Sequence, residues 1–117
     1  MGKLAPIIVA SHQNQKFYFN PDYIALPADV REELRGIAGA AAEQSRGRFS
    51  IGFYEDGSVY WEASPEDVAG FDEIEARLVT NQWIDQKQAL CNALTLWYRL
   101  YCTEEGQTIR KNILDLS

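Results

Sequence analysis

Apolar and polar positions alternate most cleanly in GRFSIGFYEDGSVYWEAS, residues 47–64. Phe49, Ile51 and Phe53 alternate with Ser50, Gly52 and Tyr54, and after Asp56-Gly57 the chain returns with Val59, Trp61 and Ala63 on one face and Tyr60 and Glu62 on the other. A period of two is that of a half-buried strand. Asp-Gly between two such runs predicts a hairpin, because both central residues tolerate positive φ. A weaker pair precedes it. Pro6 to Ala10 and Lys16 to Phe19 are β-like runs separated by SHQNQ, predicting a first hairpin in which Ile7 and Val9 alternate with Ile8 and Ala10. Phe17 and Phe19 share a face opposite Tyr18. Asn20-Pro21 then turns the chain.

Three- and four-residue spacing governs the rest. Leu26, Val30, Leu34, Ile37 and Ala41 form one stripe, opened by Pro27 and acidic residues that suit a helix N-terminus. Gly36 and Gly39 lie inside this helix, where each glycine costs ~1 kcal/mol against alanine, so either another element approaches there or the cost is simply tolerated. Ser64-Pro65-Glu66-Asp67 reads as a further helix start, broken at Gly70, and Asp72 to Val79 as a second helical piece. The stretch from Gln82 to Cys102 is the richest in apolar residues and predicts one helix. Trp83, Leu90, Leu94, Trp97, Tyr98 and Tyr101 share a broad face; Leu96, Leu100, Ala89 and Ala93 carry the apolar surface further round. A narrow strip of Asp85, Gln88, Asn92, Thr95 and Arg99 stays polar. A helix that apolar is expected to be covered on two sides, by a sheet on one and by a helix or a second copy of the chain on the other. A bend near Thr80-Asn81 joins it to the preceding piece, and Gly106 stops it. The tail is amphipathic but short: a final strand, a docking arm or disordered.

The expected fold is α+β: an antiparallel sheet of two hairpins in ββαββα order, helices on one face, the long C-terminal helix central. Residues 1–105 form the single domain and 106–117 a tail. At 117 residues the chain buries enough surface to fold without a disulfide or metal.

Charge and composition narrow the function classes. A net charge of −6 argues against a nucleic-acid partner, and Arg46 and Arg48 around Gly47 read as solvated turn residues. No stretch is long and apolar enough to span a bilayer, and no signal peptide is evident. Cys91 and Cys102 are eleven residues apart. On one helix that is roughly 16 Å, beyond disulfide reach, so both are expected as free thiols in a reducing cytoplasm.

Chemistry-bearing patterns are sparse. His12, the single histidine, follows Ser11 in a predicted turn, a poor arrangement for a nucleophile pair. One histidine and two distant cysteines give no zinc spacing, and the run Asp72-Glu73-Ile74-Glu75 reads as a solvated helix start. Phosphate-binding glycine loops are absent. No catalytic residue, cofactor or metal is therefore assigned, and the balance leans away from an enzyme. What remains is an aromatic group that includes Tyr60. Trp61, Trp83, Trp97, Tyr98 and Tyr101, with Arg99, are core, a protein interface or the wall of a small-molecule pocket.

Several segments stand in a telling order: Lys16, Tyr18 and Asn20; Leu26-Pro27 with Glu33-Leu34; Phe53 with Glu55-Asp56-Gly57; Phe71-Asp72-Glu73-Ile74; and Lys87, Leu90, Leu94 and Tyr98. Together they resemble an uncharacterised family of short bacterial proteins, a domain of unknown function of clostridia-like Firmicutes. The likeness spans residues 7 to 101. It implies a bacterial cytosolic protein and carries no activity or functional residue across. The leading expectation is a small cytoplasmic protein working by protein contact, self-associating as a homodimer. The alternative is a small-molecule-binding or catalytic domain with an aromatic pocket among Trp61, Trp97, Tyr98 and Arg99.

Overall fold

The structure, a computed structural model, describes residues 2–67 and 69–115. It is α+β. Four strands, β1 (Ile8–Ser11), β2 (Lys16–Phe19), β3 (Arg48–Phe53) and β4 (Val59–Ser64), form one antiparallel sheet in the order β2-β1-β3-β4. The helices are α1 (Ala28–Ser45), α2 (Glu73–Gln86), α3 (Gln88–Tyr101) and α4 (Glu104–Asp115). A single 3-10 turn, Pro21–Tyr23, capped by the Asn20 side chain, precedes α1.

Both hairpins form, and the predicted facing holds for most of them. Phe49, Ile51 and Phe53 are wholly buried and lie opposite Ala63, Trp61 and Val59. Phe17 and Phe19 lie opposite Ala10 and Ile8 on the same face. The alternation fails at Ile7. Its N–H donates to the Ile51 carbonyl at 2.8 Å, although Ile51 is already the partner of Ile8. Two residues facing one make a β-bulge, which explains how neighbouring Ile7 and Ile8 are both fully buried. The second turn also differs from the two-residue form. Tyr54 N–H bonds to Ser58 O at 2.8 Å around Glu55, Asp56 and Gly57, and of the three only Gly57 has positive φ, at 89°. That is a three-residue loop with glycine in the left-handed position.

α1 is the helix on which the sheet is built, packing against β1, β3 and β4 and against α2. Its stripe Leu34, Ile37, Ala38, Ala41 and Ala42 supplies the helical half of the core. The expected central C-terminal helix is thus corrected. So is its continuity. The chain breaks at Lys87 (φ −116°, ψ 31°), ending α2 and starting α3, and not at Thr80-Asn81. No glycine or proline marks the break. Local partners make it tolerable: the Gln88 side-chain amide donates to the Ile84 carbonyl at 2.8 Å, and Lys87 Nζ lies 3.1 Å from Glu33 Oε1 of α1. The element order becomes ββαββααα after the break and the added α4. No helix begins at Ser64-Pro65; the next starts at Glu73, where the Asp72 carboxylate accepts from the Ile74 and Glu75 amides at 2.9 and 3.1 Å. Val68 lies outside the described residues.

Gly106 does not stop a helix but sits in the first turn of α4. A Cβ there would lie 1.8 Å from the Arg99 carbonyl oxygen, so its missing side chain lets α4 cross the end of α3. The tail is therefore helical from Glu104 to Asp115, and its last two residues fall outside the described ones. Arg110 closes the corner, its Nε donating to the Leu100 carbonyl at 2.7 Å and its guanidinium 4.3 Å from the Tyr101 ring centre. With α4 extending beyond the sheet-and-helix body, the described residues span 56 × 24 × 22 Å.

Candidate interaction site

α3 is amphipathic in a direction that decides its role. Leu90 and Leu94 point into the core and are buried, while Leu96 on the next face is 59% exposed. Trp97 lies between these faces. Its ring stacks on Phe53 (6.4 Å, 12°) inside and on Tyr101 (5.4 Å, 18°) outside, with Tyr23 tilted against it at 6.1 Å. Burial pushes the Tyr23 hydroxyl above its ordinary pKa.

Beside Trp97 runs a groove of about 240 Å³ between α3 and the start of α1. Leu26, Pro27 and Val30 form one wall; Ala93, Leu96, Leu100 and Tyr101 form the other. The Trp97 indole and the Tyr101 phenol bring the only polar atoms among its lining side chains. Leu100 and Tyr101 also border a second depression with Arg110 and Ile113 of α4, so the apolar surface continues onto the last helix.

The six residues singled out from the sequence do not converge. Trp97 and Tyr101 line the groove. Tyr98 turns away from it, 4.9 Å from Phe53, with its hydroxyl donating to the Glu55 carbonyl in the β3–β4 turn at 3.1 Å. Arg99 is exposed, with the Asp56 carboxylate as its nearby charge. Trp83 lies on α2 and donates to Gln44 Oε1 at 2.9 Å, tying α2 to α1. Trp61 packs edge-on to Phe49 (6.2 Å, 61°) under the helices. Its buried indole N–H has no partner at hydrogen-bonding geometry; the polar group facing it is the Cys91 thiol, which burial pushes up in pKa against the opposing pull of that N–H. Cys91 and Cys102 are both free. Of the residues missed as site candidates, Leu96 and Leu100 carried a readable signal, since they sat on a helix more apolar than one neighbour covers, whereas Leu26 and Val30 sat on an ordinary one-sided stripe opened by Pro27.

The remaining chemistry-bearing groups hold the first hairpin to its surroundings. Ser11 donates its hydroxyl to Glu66 at 2.5 Å, not to His12. Glu66 also accepts from the Gln13 amide at 3.0 Å, and these bonds outweigh partial burial and hold its carboxyl below the ordinary range. His12 is half-buried, with Nδ1 3.1 Å from Glu43 Oε2. Glu43 is held low by the Gln15 amide and by His12. Among the described residues no three His, Cys, Asp or Glu side chains gather to hold a metal ion, and no helix is long and apolar enough to cross a membrane.

No curated protein and no solved structure matches the chain. A family model matches residues 5–106, from the first hairpin through the α3–α4 corner, and on that match the chain belongs to a family of unknown function, DUF6145.

Proposed function

We propose that this chain works by protein–protein contact and that a second copy of it covers the groove between α1 and α3. The observation behind this reading is Leu96: a large side chain at mid-helix, 59% exposed, flanked by Ala93, Leu100 and Tyr101 and facing Leu26, Pro27 and Val30. A contiguous exposed apolar strip of this kind favours association. A two-fold contact suits it, because a patch that meets itself needs no complementary surface elsewhere. A small-molecule site is less well supported, since such sites occupy about 300–1,000 Å³ and direct several polar groups at the ligand. The setting proposed is the cytoplasm of a bacterium, as the resemblance read from the sequence implies and as two free thiols favour.

Light scattering against concentration, with Leu96→Glu as the paired variant, tests the reading. The native chain is expected to have at least the mass of a dimer, and the variant to lose the groove contact while keeping its circular dichroism. A native chain that stays monomeric up to near-millimolar concentration refutes it.

A further inference from the structure

The sheet has an uncovered edge on a different part of the molecule, at β2. Strand order places β2 outermost, paired with β1 alone. Its outward-pointing groups follow from two bonds. Asn20 N–H donates to Ile7 O at 2.8 Å, and His12 N–H donates to Gly47 O at 3.1 Å. In an antiparallel ladder the backbone groups of successive residues point to opposite sides. The first bond therefore turns Lys16, Tyr18 and Asn20 inward to β1, and the second agrees by turning His12 and Ala10 toward β3. Phe17 and Phe19 are left with their N–H and C=O groups pointing away from the sheet. Among the described residues nothing accepts or donates there.

Natural edges are blunted by proline, by bulges or by charge. β2 (KFYF) has none but Lys16 at its first position. Its aromatic side chains are wet on both faces of the sheet: Phe17 is 50% exposed and Tyr18 56%. The helix flanking this edge is open as well. Gly39 of α1 lies under the Phe17 ring, and one turn away Gly36, a helix-interior glycine, has no atom within 4 Å of where a Cβ would stand. Among the described residues nothing accounts for the missing side chain at Gly36.

We infer that β2 is a strand-pairing surface whose partner is β2 of a second copy, set antiparallel about a two-fold axis at Tyr18. The register makes this pairing self-complementary. With Tyr18 opposite Tyr18, Phe17 of each copy faces Phe19 of the other, and those are the residues whose N–H and C=O groups point outward, so each pair exchanges both of its hydrogen bonds. Lys16 falls opposite Asn20, so like charges are not brought face to face. The two α1 helices then lie on the same side of the joined sheet, with their Gly36 and Gly39 sides turned toward the axis. This surface is separate from the α1–α3 groove and does not rest on that reading.

Backbone hydrogen exchange by NMR tests the pairing. It is read on the full chain carrying Leu96→Glu, which removes the groove contact and leaves the edge. The Phe17 and Phe19 amides are expected to slow together, by about tenfold or more, between low-micromolar and near-millimolar protein, while the Lys16, Tyr18 and Asn20 amides stay slow throughout. Phe17→Pro removes one outward donor and no inner ladder bond, and returns Phe19 to open-strand exchange at every concentration. Phe17→Ala keeps the donor and keeps the concentration-dependent slowing. Open-strand exchange of Phe17 and Phe19 at all concentrations overturns the inference. So does loss of slowing in Phe17→Ala alone, which makes the contact one of side chains. A partner other than this chain is also excluded as the explanation if purified protein shows the slowing unaided.

Discussion

The Tyr98 hydroxyl donates to the Glu55 carbonyl at 3.1 Å, clamping α3 onto the β3–β4 turn. The same ring sits where a side chain on Gly57 would go: a Cβ there would lie 2.7 Å from Tyr98 Cδ1, and Gly57 has φ 89°. The turn is thus specified twice, by conformation and by contact. Tyr98→Phe is expected to cost about 1 kcal/mol in urea unfolding, the net worth of one hydrogen bond. Gly57→Ala is expected to cost more, about 2 kcal/mol, because it meets both a left-handed backbone and an occupied space. Equal costs for the two would show that the clamp does not depend on the turn conformation.

Leu94 and Leu96 separate the two faces of α3. Leu94 is 1% exposed and belongs to the core, while Leu96 faces the groove. Leu94→Ala is expected to destabilise the fold by about 3 kcal/mol, as cavity-forming substitutions do. Leu96→Ala in dilute protein is expected to shift stability by about 0.5 kcal/mol or less. Chemical unfolding at low concentration reads both. A reversal of this order would mean that α3 is rotated about its axis relative to the sheet.

Local periodicity reached the parts of this fold that depend on neighbours in sequence. Phe49, Ile51 and Phe53 alternate because one face of β3 meets helices and the other does not, and that leaves a mark of period two. The Ile7–Ile8 bulge leaves no such mark, since both residues are apolar and only the pairing with Ile51 shows that they share one partner. The break at Lys87 is equally silent. It is held by Gln88 and by Glu33, the latter on another helix, and carries neither proline nor glycine. The aromatic group was legible as residues but not as a place: Trp83 and Trp61 are spent on joining α2 to α1 and the sheet to the helices, leaving Trp97 and Tyr101 at the groove.

Gly106 permits the α3–α4 corner by close backbone approach, as the 1.8 Å distance from a Cβ to the Arg99 oxygen shows. Thr103 prepares the corner: its hydroxyl donates to the Arg99 carbonyl at 2.5 Å and accepts from the Gly106 amide at 3.0 Å. Gly106→Ala is expected to undock α4 and leave the rest folded, since the core cluster contains no residue beyond Tyr98. Limited proteolysis reads this as new cleavage after Cys102, with the sheet signals in NMR unmoved. Cooperative loss of the whole fold would show instead that α4 is part of the core's stability.

Acid should loosen the first hairpin before it unfolds the protein. Burial alone would raise the Glu66 pKa, but the Ser11 hydroxyl and the Gln13 amide both bond its charged form, and the net shift is downward. The Gln15 side chain and His12 lower Glu43 in the same way. For both groups the folded pKa lies below the unfolded one. The unfolded chain then binds more protons in the interval between them, so stability rises with pH across it. The contribution is fully present above the ordinary glutamate pKa of about 4.3 and is lost as pH falls through the lower folded values. Ser11→Ala removes one donor and should move the Glu66 titration upward toward the ordinary range while leaving Glu43 in place. Carbon-detected NMR titration of the two carboxylates reads this directly. The shift at Glu66 must come without one at Glu43, because their bonded partners differ: Ser11 and Gln13 bond Glu66, while Gln15 and His12 contact Glu43. Movement of both together would mean that the turn itself, and not its separate anchors, sets the two pKa values.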